Sequence, residues 1–265
     1  MSFTGKVILI TGASSGIGAA CAEYFAKEGA QLALVGRNAD KFQNVVQKIK
    51  QIDASNDPLV MLKDVTMEAK QIIDETIRKY NRLDILINNA GFSIRGTVEN
   101  TKIADFDSIF ATNVRAVFML TQLAIPYLIV SKGNVVNVSS AASLRAMKNN
   151  LAYSMAKASV DHFTRCAALE LASKGVRVNS VNPALIITDF HLNLGMTMEE
   201  YREYVDTFGK QHPVGRAGQP EEVVRAVAFL SAESSSFITG ISLPIDGGIT
   251  VSNGISAVGP RNLPN

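Results

Sequence analysis

The fold is decided by residues 7–18, which read VILITGASSGIG. Five strand-forming residues, Val7–Thr11, predict a buried strand, and the glycines after them predict a tight turn into a helix that begins near Ile17. Such a turn lets the backbone approach a phosphate, while the free N–H groups at the helix start favour an anion. Glycine also marks ordinary turns, but the position between a first strand and a first helix favours a phosphate loop.

The same alternation of strands and helices continues along the 265 residues. The predicted strands are Val7–Thr11, Leu32–Gly36, Leu59–Lys63, Ile85–Asn88, Asn134–Ser139, Arg177–Asn182 and Ser242–Ile245. The predicted helices are Ile17–Glu28, Asp40–Ile52, Met67–Tyr80, Ile103–Ser131, Ala152–Lys174 and Pro220–Ser231. Nearly continuous apolar strands separated by helices indicate a parallel sheet covered on both faces. The length favours one α/β domain.

Composition limits which binding partners and which cellular compartment we expect for this protein. The net charge is +2 and there is no basic run, so we expect no nucleic-acid partner. The longest apolar runs, such as Lys6–Ile10 and Val114–Leu120, are too short for a membrane span. The N-terminus does not resemble a signal peptide, and Cys21 and Cys166 lie in helical patterns as expected of buried free thiols. We therefore expect a cytoplasmic protein with no membrane span.

Two segments interrupt the alternation. Residues 188–216 carry helical patches between loop signals, after a strand's carboxyl end, where open α/β sheets bind ligands. We expect a substrate lid there. The tail Val251–Asn265 is rich in small and polar residues and predicts a surface extension.

Tyr153 and Lys157 form the most informative pair of side chains. On a helix, residues four apart share a face, with Cβ atoms roughly 5–6 Å apart. A phenol has a pKa of about 10, and a neighbouring cation lowers it. The pair therefore predicts a proton donor for carbonyl reduction, whose base form serves alcohol oxidation. Two residues on a solvated helix face are the alternative.

Several motifs accompany this pair in a fixed order, and together they carry a family resemblance. The chain resembles the short-chain dehydrogenase/reductase family, in its branch of roughly 250 residues, over Lys6–Gly248. This resemblance implies a single Rossmann-type domain: a doubly wound parallel sheet of about seven strands with helices on both faces. The motifs are the Gly-x-x-x-Gly-x-Gly spacing of Gly12, Gly16 and Gly18, the stretch Asn88-Asn89-Ala90-Gly91, Asn113, Ser140, Tyr153 and Lys157.

The resemblance implies four catalytic residues. Tyr153 would be the general acid/base, and Lys157 would lower its pKa and bind the cofactor ribose. Ser140 would donate to the substrate oxygen, whereas its neighbour Ser139 is expected to be structural. Asn113 would hold a water for proton relay, with a structural kink in the helix as the alternative.

The resemblance also implies a nicotinamide dinucleotide site, in which Asp64 would meet the adenine. Ala184 replaces the family's usual glycine after Pro183, and we expect the Ile186 N–H and Thr188 to remain available to the carboxamide. Asn88 is expected to tie neighbouring strands together. The predicted cofactor contacts are Gly12, Ser14, Ser15, Gly16, Ile17, Gly18, Arg37, Asn38, Asp64, Val65, Asn89, Ala90, Gly91, Tyr153, Lys157, Pro183, Ile186 and Thr188.

The end of the second strand predicts the cofactor. Gly36 occupies the position where an NAD-selecting carboxylate would stand, and Arg37 follows it. A guanidinium binds phosphate bidentately, so we expect NADP(H). The alternative is a solvated Arg37 and a site that accepts either cofactor.

The substrate is predicted to be a lipophilic ketone or its secondary alcohol, because the lid segment and its surroundings are apolar. The same side chains would equally suit packing of the lid against the core; they are Phe190, His191, Leu192, Leu194, Met196, Met198, Tyr201, Tyr204 and Phe208, with Leu144, Met147 and Phe92. No metal is expected, since His191 and His212 lack paired spacing.

The leading function is therefore an NADPH-dependent carbonyl reductase, an oxidoreductase. A non-catalytic dinucleotide sensor on the same fold is the alternative, although a sensor would have no use for the proton donor. A sugar-nucleotide epimerase is disfavoured by the glycine spacing. Apolar residues on several faces of the two longest helices predict a homo-oligomer, a tetramer or a dimer.

Overall fold

The computed structural model describes residues 2–192 and 195–252, and these form seven strands and eight α-helices. Leu194 of the predicted lid and residues 253–265 of the predicted tail lie outside the described residues. The strands are β1 Val7–Thr11, β2 Gln31–Gly36, β3 Leu59–Leu62, β4 Ile85–Asn88, β5 Asn134–Val138, β6 Arg177–Pro183 and β7 Ser242–Ile245. The helices are α1 Gly16–Lys27, α2 Ala39–Ile52, α3 Ala69–Tyr80, α4 Ile103–Phe110, α5 Ala116–Ser131, α6 Leu151–Leu171, α7 Met198–Gly209 and α8 Pro220–Ser231.

All seven strands join one parallel sheet in the order β3-β2-β1-β4-β5-β6-β7. The chain builds outward from β1 in one direction and then returns to start the other half at β4. This reversal between β1 and β4 opens a crevice at the carboxyl ends of the strands, which is where such sheets bind ligands. The predicted Rossmann-type fold is confirmed.

The two faces of the sheet bury separate cores, because successive strand residues point to opposite sides. From β1, Ile8 and Ile10 pack in the core with α1, α2 and α8. Val7 and Leu9 pack in the other core, with α3, α5 and α6. Every residue of β1 is buried, so this strand is a rigid support for the turn that follows it.

The predicted helix Ile103–Ser131 is continuous but not uniform, because a π-helical turn, Ala111–Arg115, separates α4 from α5. In the described part of the chain, this 29-residue run is the one helix long and apolar enough to cross a membrane, with a hydropathy of 1.6. The expectation that apolar segments are too short for a span is thus wrong on length and composition. One side of α5 packs into the core through Leu120, Ala124 and Leu128.

Both cysteines are free thiols. Cys21 is buried in α1, and burial raises the pKa of its thiol to about 12. Cys166 is exposed, so the expectation of two buried thiols is wrong for this residue. The apolar face of α6 passes through Ala167 and Ala168, and the helical repeat turns Cys166 outward.

Candidate active site

A cavity of about 1140 Å³ opens at the carboxyl ends of β1, β2, β4, β5 and β6. Its volume exceeds the range of about 300–1,000 Å³ that is common for small-ligand pockets, and so suits a dinucleotide with a second molecule. Every predicted site residue lines the cavity except Gly18 and Asn113. The topology thus brings together residues that span positions 12–188 of the sequence.

The glycine-rich turn is held against the end of β4. The Asn89 side chain donates to the carbonyls of Thr11 and Gly12 at 2.9 and 3.1 Å, and the Thr11 hydroxyl accepts from the Asn89 N–H at 3.0 Å. Gly12 has a φ of 63°, which favours glycine. Ser15 precedes α1 without capping it through its side chain, so the first N–H groups of α1 are available to an anion. The turn fits a pyrophosphate, whereas Gly18 packs behind it against the Gly12 carbonyl.

Tyr153 and Ser140 meet inside the cavity. Tyr153 lies in the first turn of α6 and is 9% exposed. The Ser140 hydroxyl lies near enough to the Tyr153 phenol to act on its pKa; it accepts the N–H of Ala142 at 3.1 Å and donates to the Pro183 carbonyl at 3.5 Å. Two hydroxyl groups thus lie near each other, where both could hydrogen-bond the carbonyl oxygen of a substrate.

The net shift of the Tyr153 pKa in this structure is upward, opposite in direction to the lowering expected from Lys157 and an oxidised nicotinamide, and the role of Lys157 stays a prediction. Burial raises the pKa of Tyr153 to about 12, and the hydrogen bond from Ser140 opposes that rise. The Lys157 Nζ lies 5.6 Å from the centre of the Tyr153 ring and donates at 2.7 Å to the carbonyl of Val138. Burial disfavours the charged phenolate, so Tyr153 is protonated at neutral pH.

Lys157 is itself unusual, because it is a cation with only 4% of its surface exposed. Burial lowers its pKa to about 8, and the charge of Asp161 acts in the opposite direction. Such a lysine changes its charge just above neutral pH, unlike an exposed lysine of pKa about 10.4.

Asp161 is a buried carboxylate that sequence analysis missed. It accepts hydrogen bonds from Ser143 at 2.5 Å, Ser180 at 3.0 Å and the Asn182 amide at 2.7 Å. Asn182 also donates to the Ser140 carbonyl at 3.3 Å, so the network connects α6 to the turn that carries Ser140. The available signal was the spacing: Asp161 falls four residues after Lys157, on the same helix face.

Asn113 and Ser139 have structural contacts. Asn113 is fully buried in the π-helical turn, where its side chain accepts from the Phe92 N–H at 3.1 Å and donates to the Phe92 carbonyl at 2.8 Å. The helix irregularity matches the structural alternative for Asn113, and its water-relay role stays a prediction. The Ser139 hydroxyl donates to the Lys157 carbonyl at 3.1 Å, as a structural residue would. Asn88 donates to Asn137 on the adjacent strand at 2.9 Å, so its predicted strand-tying role is confirmed.

At the end of β2 the charged groups are already paired. Arg37 lies 3.5 Å from the Asp64 carboxylate, which also accepts from the Thr66 hydroxyl at 2.6 Å. These contacts lower the pKa of Asp64: the Thr66 hydroxyl acts most strongly, and Arg37 contributes. Lys41 and Lys63 line the same end of the cavity and were not identified from sequence.

Of the groups expected to be available to the nicotinamide carboxamide, the backbone N–H of Thr188 is already engaged. The Thr188 N–H donates to the Tyr201 hydroxyl at 3.1 Å, so it is not free for the carboxamide. The Thr188 side chain and Ile186 do line the cavity. Tyr201 is buried and makes this contact from α7, which supports the packing interpretation for this residue.

A row of rings extends from Tyr153 along the predicted lid. Successive ring centres lie 5.9 Å apart from Tyr153 to Phe190, 5.5 Å to His191, 4.9 Å to Tyr204 and 5.3 Å to Phe208. These rings line the cavity with Phe92 and Met147, whereas Leu144, Leu192, Met196 and Met198 do not. Among residues 2–192 and 195–252, no group of three potential metal-ligating side chains occurs.

Comparison with known proteins agrees with this arrangement. A family model described as enoyl-(acyl carrier protein) reductase matches residues 12–250. Glucose 1-dehydrogenase of Gluconobacter oxydans is 36% identical over 94% of this chain and 93% of its own length. A 3-oxoacyl-[acyl-carrier-protein] reductase of Thermotoga maritima is 34% identical over 95% of this chain and 100% of its own.

A solved structure extends the likeness to three dimensions. A short-chain dehydrogenase/reductase of unknown function from Caenorhabditis elegans, crystallised with cofactor, has a TM-score of 0.90 and 34% identity, covering 96% of this chain and 98% of that one. Fold, cavity and relatives together define an oxidoreductase that acts on alcohol or carbonyl groups with a nicotinamide dinucleotide. The chain belongs to the short-chain dehydrogenase/reductase family.

Proposed function

We propose that this protein interconverts a lipophilic ketone and its secondary alcohol with NADP(H), and that Tyr153 is the general acid/base. The observation that carries the proposal is the meeting of Tyr153, Ser140 and Lys157 in one cavity beside the glycine-rich turn. A bound nicotinamide would give hydride to the carbonyl carbon or take it from the alcohol carbon.

The chain's own residues manage the oxygen and its proton. Two adjacent hydroxyls, from Ser140 and Tyr153, hydrogen-bond the carbonyl oxygen, and Tyr153 transfers its proton as charge develops there. A Tyr153 pKa of about 12 keeps the phenol protonated, as reduction requires. The Lys157 cation, 5.6 Å from the ring centre, stabilises the phenolate that remains.

The preference for NADP(H) is supported by space and charge at the end of β2. A Cβ added to Gly36 would come within 2.9 Å of the Phe42 ring and 3.1 Å of the Ser14 hydroxyl, so a carboxylate there would not fit without movement. Arg37 has 76% of its side chain exposed and can turn from Asp64 toward a phosphate. Lys41 and Lys63 line the same end, but each is already paired, Lys41 with Asp189 and Lys63 with Glu68 and Glu75, so Arg37 is the cation on which the preference depends.

The ring row from Tyr153 to Phe208 supports two parts of the proposal: that the substrate is lipophilic, and that residues 188–216 form a lid. Helix α7 in this segment begins with a capping box between Thr197 and Glu200, so the lid has a defined helix. Its rings would cover an apolar substrate body and exclude water from the reacting carbon.

Self-association is proposed from the outer face of the long helices. An apolar groove of about 470 Å³ between α4, α5 and α6 includes Phe118, which is 49% exposed. Phe118 contacts Phe163 at 6.0 Å between ring centres, while Leu169 is 84% exposed further along α6. A second copy of the chain packed on this face would bury it, so we propose a homo-oligomer, a dimer or a tetramer.

We also propose that the protein is located in the cytoplasm, because both cysteines are free thiols.

The proposal is tested by following NADPH and NADH oxidation with a panel of neutral and charged ketones. We expect turnover with at least one ketone and a higher kcat/KM with NADPH. Tight NADPH binding with no turnover across the panel would instead support a dinucleotide sensor.

A further inference from the structure

The substrate end of the cavity, beyond Tyr153 and away from the glycine-rich turn, has a charge of one sign. Its charged lining residues are Arg95, Arg145 and Lys148. The two carboxylates that line the cavity lie elsewhere, and each is paired: Asp64 with Arg37, and Asp189 with Lys41.

Arg95, Arg145 and Lys148 all line this end of the cavity and are together called the rim; backbone contacts join the segments of Arg95 and Lys148. The segment after Arg95 forms a parallel bridge from Gly96 to Asn150, and the Gly96 N–H donates to the Asn149 carbonyl at 3.1 Å. Arg95 therefore lies beside the segment that contains Lys148. The Arg145 guanidinium donates at 2.7 Å to the carbonyl of Ile249, which also lines the cavity.

The carboxylates near these three cations leave a net positive charge. In the described part of the chain none of the three cations makes an ion pair. Burial lowers the pKa of His191 and hydrogen bonds with Thr197 lower that of Glu200; the Arg95 charge adds to both shifts, so Arg95 lies near the lid. Glu200 is engaged at the start of α7, where it accepts from the Thr197 N–H at 2.7 Å. The rim thus keeps a net positive charge at the cavity mouth.

The ring row from Tyr153 to Phe208 lines the same cavity as the three cations. The His191 Nδ1 in this row is buried and has no hydrogen-bond partner. Burial is the main cause that lowers the pKa of His191 to about 4, so this ring is neutral at physiological pH and adds a hydrogen-bonding atom rather than a charge.

We propose that the substrate carries an anionic oxygen group, a carboxylate or a phosphate monoester, which Arg95, Arg145 and Lys148 bind while its apolar body lies on the ring row. This inference rests on the proposed function and specifies its substrate class. A guanidinium binds either group with paired hydrogen bonds, and a neutral ketone of the same shape would gain none of them.

The test uses three matched phenyl ketones: benzoylbutyrate, its carboxamide, and oxophenylbutyl phosphate. Binding to the NADPH-loaded Tyr153→Phe variant is measured by calorimetry, and turnover of the wild-type enzyme by NADPH oxidation. We expect at least one anionic ketone to bind roughly tenfold more tightly than the carboxamide, as one charged hydrogen bond provides. Whichever of the carboxylate and the phosphate ketone binds more tightly identifies the anionic group of the substrate.

Variants assign the effect to the rim. Arg95→Gln and Lys148→Gln should each weaken binding of the anionic ketone roughly tenfold and leave carboxamide binding unchanged. Arg202→Gln removes a matched charge from the exposed side of α7 and should change neither. Raising the ionic strength from about 0.05 to about 0.5 M should weaken only the anionic ketones.

The outcomes separate this proposal from the one on which it rests. Equal binding of anionic and neutral ketones would overturn the anion site, whether or not the neutral ketone is turned over. Tighter binding of an anionic ketone that is lost in Arg95→Gln would support the anion site, with or without turnover. If none of the three ketones oxidised NADPH, that lack of turnover would count against the proposed reaction.

Discussion

Asp161 follows Lys157 by one helical turn on α6, and both side chains are buried, at 3% and 4% exposure. Asp161 makes no direct ion pair with the lysine; its oxygens are taken by Ser143, Ser180 and Asn182. Its charge nevertheless raises the pKa of Lys157 against the effect of burial. One carboxylate thus supports the lysine's charge and, through Asn182, the position of Ser140.

The pH dependence of ketone reduction should follow Lys157. This lysine is cationic below a pKa of about 8 and neutral above it. Because the cation stabilises the Tyr153 phenolate, we expect kcat/KM for reduction to be level below pH 8 and to fall above it. A profile of kcat/KM at constant ionic strength measures this; a level profile through pH 10 would show that the lysine charge is not required.

Replacing Asp161 should shift that profile. Asp161→Asn removes a charge that raises the Lys157 pKa, so the fall in kcat/KM should move below pH 8. An amide also cannot accept all three hydrogen bonds, and the free energy of unfolding should decrease by about 1–3 kcal/mol.

The matched control for Asp161→Asn is Glu170→Gln, which neutralises an exposed carboxylate on the same helix. Its pH profile and urea midpoint should equal those of the wild type. If Asp161→Asn lost stability but kept the wild-type pH profile, its role would be structural alone.

Cofactor preference should depend on Arg37. Arg37→Asp should lower kcat/KM for NADPH at least roughly tenfold, since it replaces a phosphate-binding cation with an anion that repels the phosphate. The measurement is steady-state kinetics with both cofactors, with Arg78→Asp on the exposed side of α3 as the control. An unchanged NADPH/NADH ratio would indicate that Arg37 does not contact the 2′-phosphate.

The outer face of the long helices should hold the oligomer together. Phe118→Glu places a charge on the apolar groove, and burying it in an interface would cost several kcal/mol. Light scattering should show a wild-type oligomer and a smaller species for this variant. A monomeric wild type would contradict the proposed interface.

The strands and the motif residues were predictable because they follow local patterns. The bounds of β1, β4, β7 and α8 are those predicted from apolar runs and turn residues. Ser140, Tyr153 and Lys157 were identified as site residues from the family order of motifs, and all three line the cavity.

The electrostatics of the site were not predictable in the same way. The Tyr153 pKa depends on how completely the ring is desolvated, which sequence spacing does not report. The positive rim depends on the bridge from Gly96 to Asn150, which joins loops 54 residues apart without a periodic signal. Similarly, Asn113 in the π-helical turn makes two hydrogen bonds to Phe92 on another segment, and sequence spacing does not report such contacts.

Proton transfer by the Tyr153 hydroxyl is the step that Tyr153→Phe removes. The variant keeps the ring and its packing against Phe190 but removes the proton donor. With a ketone that the wild type reduces, kcat should fall by about 10²–10⁴-fold while the variant still binds NADPH, as calorimetry would show. Tyr24→Phe, on the partly exposed side of α1, should retain full activity. Wild-type turnover by Tyr153→Phe would contradict the account.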